Sequence, residues 1–264
     1  MNKRSGKFFR AFKGTYLGLL LFFLYSPIVV MIALSFNASK SRAKWGGFSF
    51  KWYGELLQSR DIIEALWVTV SIAVMATIVA TILGTLAAIG IHAMKKGWSG
   101  LWLNVAYLPM TTPDIVTGVS LMLFFVFARM SPGYWTMLIA HIVFDVPYVL
   151  FSVLPKLKQM DPNLYEAALD LGCTPLSAVR KVILPEVMPG VVTGSLLSFT
   201  MSLDDFVISY FTSHTEKNLS MIVYSAARKG IEPTIYALST IMFLVVLVLL
   251  IIINKRAGLD EIEM

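Results

Sequence analysis

Six long apolar runs constrain this chain more than any other feature of its sequence. They lie at roughly Thr15–Ser35, Leu66–His92, Leu101–Phe127, Tyr134–Leu154, Val187–Thr212 and Thr234–Ile253. Each is long enough, as a helix, to cross a hydrocarbon core of about 30 Å. Composition agrees: 57% of the 264 residues are hydrophobic and 14% charged, against about 25% charged in soluble domains. The expected fold class is an all-α integral membrane protein with six transmembrane helices. Residues 15–254 form that domain, residues 1–14 a basic arm and residues 255–264 a tail. The arm carries Lys3, Arg4, Lys7, Arg10 and Lys13 and no acid. A cleaved signal peptide would need a shorter apolar region of about 7–15 residues, so the first run is read as an uncleaved span with a cytoplasmic N-terminus. Six crossings put both termini on that side, which then holds thirteen basic residues against nine outside, the bias expected of cytoplasmic loops. Against it stands the first external loop, with Lys40, Arg42, Lys44, Lys51 and Arg60. Its Trp45, Trp52 and Tyr53 predict a segment anchored in the membrane interface. The net charge of +6 follows this topology and does not point to nucleic acid.

Several chemistries are excluded. Cys173 is the lone cysteine, so no intramolecular disulfide forms, and no Cys/His constellation has metal-ligand spacing. No Gly-x-x-x-x-Gly-Lys-[Ser/Thr] phosphate loop occurs, so the chain is not expected to hydrolyse ATP or to bind a cofactor itself.

One long segment of the second half is neither span nor tail: Asp161–Pro189. Asp161 with Pro162 can start a helix. Leu164, Ala167, Ala168 and Leu171 recur at i, i+3, i+4, i+7 and predict its apolar face. Gly172 supplies a left-handed stop, and Thr174-Pro175 starts a second helix with Leu176, Val179 and Ile183 as its apolar face. Pro185 ends the unit. An amphipathic hairpin at a membrane surface, over about 161–185, is a docking element.

The spans themselves carry charge, at a cost of about 2.5–3.5 kcal/mol per ionised group at mid-depth. Asp204 and Asp205 interrupt the fifth run. Neighbouring residues on a helix diverge by roughly 100°, so one of the two faces the interior, either as a carboxylate on a cation path or as a cap at a helix break. In the third run Pro109 and Pro113 break the helix, Thr112 can cap the second half, and Asp114 sits in the first turn of that half, where the helix dipole favours it. Broken helices near mid-membrane are also where transporters place their sites. His141 and Asp145 share a face of the fourth run, and a hydrogen-bonded pair is the preferred reading. Trp135, Tyr148, Tyr210 and Tyr224 offer aromatic faces to a cation, or simply packing. Asp114, Asp145, Asp204, Asp205 and Tyr210 are the candidate path residues.

The hairpin also carries a resemblance. Glu166-Ala167-Ala168, Gly172, Val182 and Leu184-Pro185 are similar to the EAA loop of permease subunits of bacterial ABC importers, with Val182 where the family usually has Ile. Trp52–Leu57, Pro113–Leu121, Ser202–Phe206 and Ser35–Ser39 resemble the second permease subunit of spermidine/putrescine importers. The resemblance implies a type I importer permease (MetI-like) architecture in the bacterial inner membrane. It implies a second permease subunit, an extracytoplasmic polyamine-binding protein, and a pair of ATP-binding subunits that carry ATP and Mg. Glu166, Ala167, Ala168, Gly172, Leu184 and Pro185 would couple to those subunits. An importer for another solute, an amino acid or a metal-ion complex, is the alternative within the class. Outside it stand a carrier driven by an ion gradient, for which the Asp and His residues fit a proton relay, and a purely structural membrane subunit. A gradient-driven carrier has no use for an ATPase-docking hairpin.

Overall fold

A computed structural model describes the backbone of residues 3–260 and the side chains of residues 13–248. The basic residues of the arm before Lys13, and Lys255 and Arg256 of the tail, lie outside the described side chains. The elements are helical: α1 (Lys3–Ser35), α2 (Lys51–Gln58), α3 (Arg60–Ala93), α4 (Lys96–Thr111), α5 (Asp114–Phe127), α6 (Tyr134–Gln159), α7 (Asn163–Asp170), α8 (Pro175–Ala178), a π-turn (Val179–Ile183), α9 (Leu184–Glu186), α10 (Met188–Asp204), α11 (Val207–Thr212), α12 (Leu219–Lys229) and α13 (Pro233–Asp260). All six apolar runs are helical. Helices α1 (from Lys13), α3 and α6 are continuous and of spanning length, and the described part of α13, Pro233–Val248, is apolar. The third run is bent by 106° between α4 and α5, and the segment Pro175–Glu186 meets α10 at 72°. The chain divides into two compact units, Asp61–Tyr224 and the residues before and after it.

In the unit formed by the chain ends, α13 packs on α1 and α2. The loop between α1 and α2 is organised by Asn37. Its amide donates to the carbonyls of Ser41 (3.3 Å) and Lys44 (3.0 Å) and accepts from the N–H groups of Ser39 (3.1 Å) and Gly46 (2.7 Å). Those bonds use the side chain's two donors and both acceptor positions. Trp52 donates its indole N–H to the Asn37 carbonyl at 2.6 Å and is 1% exposed. Tyr53 meets Ser35 at 2.8 Å, and Phe36 stacks on Phe48. The expectation of an interfacial aromatic belt is therefore corrected: Trp45 is exposed, but Trp52 is core and Tyr53 is tied to the end of α1. An indole satisfied by a carbonyl on the same loop gains more from burial than from a headgroup. Asn37→Ala would leave two loop N–H groups and two carbonyls unpartnered, at a cost of about 1–3 kcal/mol. A lowered unfolding temperature with new protease cleavage between Ser39 and Gly46 is the expected result.

In the central unit α10 lies along α6. Gly190, Gly194, Ser198 and Ser202 are its buried residues, one every fourth position. A Cβ on Gly194 would come within 2.9 Å of the Val149 Cα, and one on Gly190 within 2.8 Å of the Ser152 carbonyl oxygen. Helix α3 joins in the same way, with Gly84 against Val149 and Val146. Lipid tails are as apolar as leucine, so helices in a bilayer associate by close packing of small residues rather than by hydrophobic exclusion. These small residues four apart are visible in the sequence, but the hydropathy of the run conceals them.

Candidate functional site

The hairpin forms as its punctuation dictates. Asp161 Oδ1 accepts from the Asn163 N–H at 2.9 Å, and Thr174 Oγ1 accepts from the Ser177 N–H at 3.3 Å. Gly172 has φ +86°. The N–H groups of Gly172 and Cys173 return to the carbonyls of Leu169 (2.9 Å) and Ala168 (3.1 Å), a complete Schellman motif. The expected apolar faces need correction. Ala168, Ala178 and Ile183 are buried, and Tyr165 and Val179 pack on the core cluster around Leu157 and Val187. Leu171 and Leu176, however, are 87% and 80% exposed, and Leu164 and Ala167 face outward too. Leu171 and Leu176 flank the Gly172 turn, where the chain reverses and a 3.6-residue period no longer defines a common face. Exposed with them are Glu166, Gly172 and Pro185, while Leu184 is half-buried. Two large leucines at the turn, and Glu166 on α7, are thus exposed.

A second constellation forms where two helices break. Helix α5 starts after the Thr112-Pro113 break, α11 starts after the Asp205-Phe206 break, and these two short helices pack on each other and on α6. A Cβ at Gly118 of α5 would lie 3.1 Å from the Phe211 ring of α11. Thr112 does not cap α5 as expected. Its hydroxyl returns to the carbonyls of Leu108 and Pro109 at 3.2 Å and meets Thr117 at 3.1 Å. That satisfies the end of α4, where Pro113 has no N–H to continue the helix.

Asp205 caps α11. Its Oδ1 accepts from the Ile208 N–H (3.2 Å), and its Oδ2 from the Ser209 N–H (2.8 Å) and hydroxyl (3.0 Å). His141 of α6 sits across the break, with Nδ1 2.6 Å from the Ser202 hydroxyl and Nε2 2.9 Å from the Ser209 hydroxyl. Asn218 closes the knot, donating to the Asp205 carbonyl and to Ser209 Oγ, both at 2.8 Å. The expected His141–Asp145 pair is thus absent. Both imidazole nitrogens are engaged by buried hydroxyls on α10 and α11, which leaves none for a neighbour on the same helix. Sequence reasoning missed Ser202, Ser209 and Asn218 as partners. The available signal was two serines, one on each side of the acid pair.

The four candidate carboxylates are linked pairwise through this region. Tyr148 is within electrostatic reach of Asp114 and Asp145, Asp145 of Asp205, and Asp205 of Asp204. Asp114 and Asp204 are exposed, Asp205 is largely enclosed, and Asp145 is fully buried. His141 Nε2 also lies 3.5 Å from Asp205 Oδ2. Beside the acids, Phe206 stacks on Tyr224 (4.1 Å between centroids) and meets Tyr210 at 5.5 Å, with both tyrosines exposed. Trp135 is exposed and packs edge-on against Tyr134. Converging negative charge with aromatic faces attracts cations and rejects anions. Among the described residues no group of three or more His, Cys, Asp or Glu side chains is arranged to hold a metal ion.

Apolar helices of spanning length, broken at a polar site and joined to an exposed hairpin, define a multi-pass membrane protein. Residues 80–256 match the family described as "Binding-protein-dependent transport system inner membrane component", and the chain belongs to that family. Among curated relatives it is 38% identical over 231 residues to the spermidine/putrescine transport system permease protein PotC of Haemophilus influenzae, covering 87% of this chain and 90% of that one. It is 35% identical to the protein of the same name from Escherichia coli K12, covering 92% of each. It is 38% identical to the E. coli putrescine transport system permease protein PotI, covering 83% of this chain and 81% of that one. Solved structures share the fold. A bacterial ABC transporter involved in import of the acidic polysaccharide alginate superposes with TM-score 0.78 at 15% identity, over 97% of this chain and 98% of that one. The inward-facing MetNI methionine ABC transporter does so with TM-score 0.59 at 21% identity, over 73% and 91%.

Proposed function

We propose that this chain is one of two permease subunits of an ATP-driven importer that carries polyamines, spermidine and putrescine, into the cytoplasm. Four intramembrane carboxylates that converge beside aromatic faces, with no lysine or arginine paired to them among the described residues, are the observation that carries the proposal. They offset the desolvation of a di- or trivalent amine, whereas an acidic or zwitterionic solute would meet repulsion. The 35–38% identity to permeases named for these amines supports the same solute. Both termini are cytoplasmic, and an extracytoplasmic binding protein delivers the amine. ATP and Mg belong to two partner subunits, which engage the exposed Glu166, Ala167, Gly172 and Pro185 of the hairpin and the half-buried Leu184, while Ala168, buried in this chain, supports the hairpin from beneath.

Uptake of labelled spermidine and putrescine into vesicles holding the assembled complex, with and without internal ATP, tests this. ATP-dependent uptake of either amine is expected. Uptake that ignored ATP and followed a proton gradient, or ATP-driven assembly that carried neither amine, would overturn it. Within that assay Asp204→Asn and Asp114→Asn isolate the path, because both carboxylates are exposed and neither holds a helix end. Losing one charged partner of an ammonium is worth about 1.5–3 kcal/mol. The amine concentration for half-maximal uptake should therefore rise roughly tenfold or more. Asp205→Asn would also disturb the α11 cap and is the less selective probe.

A further inference from the structure

Asp145 lies at the centre of α6 with none of its surface exposed, and neither carboxylate oxygen has a hydrogen-bond partner. Ser198 faces it from α10, and the Ser198 hydroxyl is likewise buried without a partner. The titratable neighbours are few. On α6 they are His141, one turn earlier and committed to Ser202 and Ser209, and Tyr148. Asp205 faces it from the α10/α11 break, and Asp114 at the start of α5 reaches Tyr148. Helix α4 contributes Tyr107 against Phe151. The residues that α3 buries include Ala76, Ala80, Gly84 and Ala88 and the hydroxyl-bearing Thr69 and Thr85, and none of them is charged. No cation is among them. With only the Ser198 hydroxyl facing it, a buried carboxylate held ionised without a counter-charge is costly, whereas the same group carrying a proton is neutral.

We propose that Asp145 is a proton-occupied cation site: it holds a proton while α6 and α10 are packed together and exchanges it for an ammonium group of the substrate when the path opens. The exchange is balanced. The carboxylic acid O–H breaks, its proton passes to water entering with the opened path, and the carboxylate accepts N–H hydrogen bonds from the ammonium. When the amine moves on, a proton from water returns and the site reseals. Ser198, across the same helix contact, adds a hydroxyl acceptor to the opened site. This inference rests on the polyamine reading for the identity of the exchanging cation, but not for the proton.

The test is labelling of the assembled complex in vesicles with dicyclohexylcarbodiimide, a membrane-permeant reagent for protonated carboxyls in apolar surroundings, with mass spectrometry of α6 as the readout. Labelling of Asp145 is expected in the nucleotide-free complex, with loss of labelling when spermidine is present during ATP turnover. A resting complex in which other carboxyls react and Asp145 does not would overturn the proton site, whatever solute is carried. Labelling that amine and ATP together leave unchanged would overturn the exchange. Failure of the unaltered complex to take up amine would instead sink the polyamine reading, and labelling of the resting complex would still decide the proton. As a second measure, Asp145→Asn keeps the side chain's size without the titratable group. Retained assembly with a flattened pH dependence of uptake is expected, and an unchanged pH profile would count against the site.

Discussion

In complexes carrying Gly194→Leu, the subunit is expected to disappear from the assembled transporter. The first added carbon alone would sit 2.9 Å from the Val149 Cα and 3.1 Å from the Ser152 Cβ, and the former is backbone that no rotamer change can move. Overpacking a close helix contact costs typically about 1–3 kcal/mol when side chains can adapt, and here the leucine must push α6 and α10 apart. Membrane levels of the tagged subunit and co-purification of its partners measure the effect. Gly97→Leu is the control, since a Cβ there meets nothing within 4 Å. Normal assembly of Gly194→Leu would show that α6 and α10 are not held at the distance described. Separating them would also expose Asp145 and strip Ser198 of its cover, so any residual assembled complex should show altered uptake.

Glu166→Ala should have the opposite signature, with assembly intact and transport lost. Glu166 is exposed and makes no hydrogen bond or ion pair among the described residues, so the folded subunit does not depend on it. The same hairpin also exposes Leu171 and Leu176, two large apolar side chains that water disfavours. A contact between the carboxylate and an ATP-binding partner would convert nucleotide-driven closure into movement of α6 and α10, to which the hairpin is joined at both ends. The expected result is wild-type membrane level with uptake and substrate-stimulated ATPase activity both abolished. Normal values for both would remove the coupling role. Gly172→Val acts differently. At φ +86° a β-branched residue is strained by about 1–2 kcal/mol or more, although no atom blocks its Cβ. Its loss of coupling should be partial and should be relieved in Gly172→Asn, since asparagine tolerates the left-handed region.

Some of this was decided locally and was legible for that reason. Asp161, Gly172 and Thr174-Pro175 act on backbone groups within three or four residues, and the hairpin forms where they stand. Proline at 113 and the acid pair at 204–205 break their helices for equally local reasons. Partners were not legible in the same way. Spacing alone puts His141 with Asp145, yet histidine found hydroxyls 61 and 68 residues away. Residue type assigns Trp52 to the interface, but a carbonyl 15 residues earlier claimed its N–H. Leu171 ends the apolar face of one short helix and Leu176 begins that of the next, yet both sit at the Gly172 turn and stay exposed.

Hydropathy, prolines and caps alone make the chain helical, apolar over six runs, broken at Pro113 and Asp205, and equipped with a capped hairpin. Each of those outcomes depends on hydropathy summed over some twenty residues or on hydrogen bonds within one turn, and neither needs the rest of the molecule. Packing between helices sets which face of each is buried and which acid is a cap, which is exposed and which is sealed. Asp114, Asp145, Asp204 and Asp205 are interchangeable as letters. Their roles diverge because α6 packs against α10 at glycine distance, enclosing Asp145, while the α10/α11 break turns Asp205 onto the start of α11 and leaves Asp204 exposed.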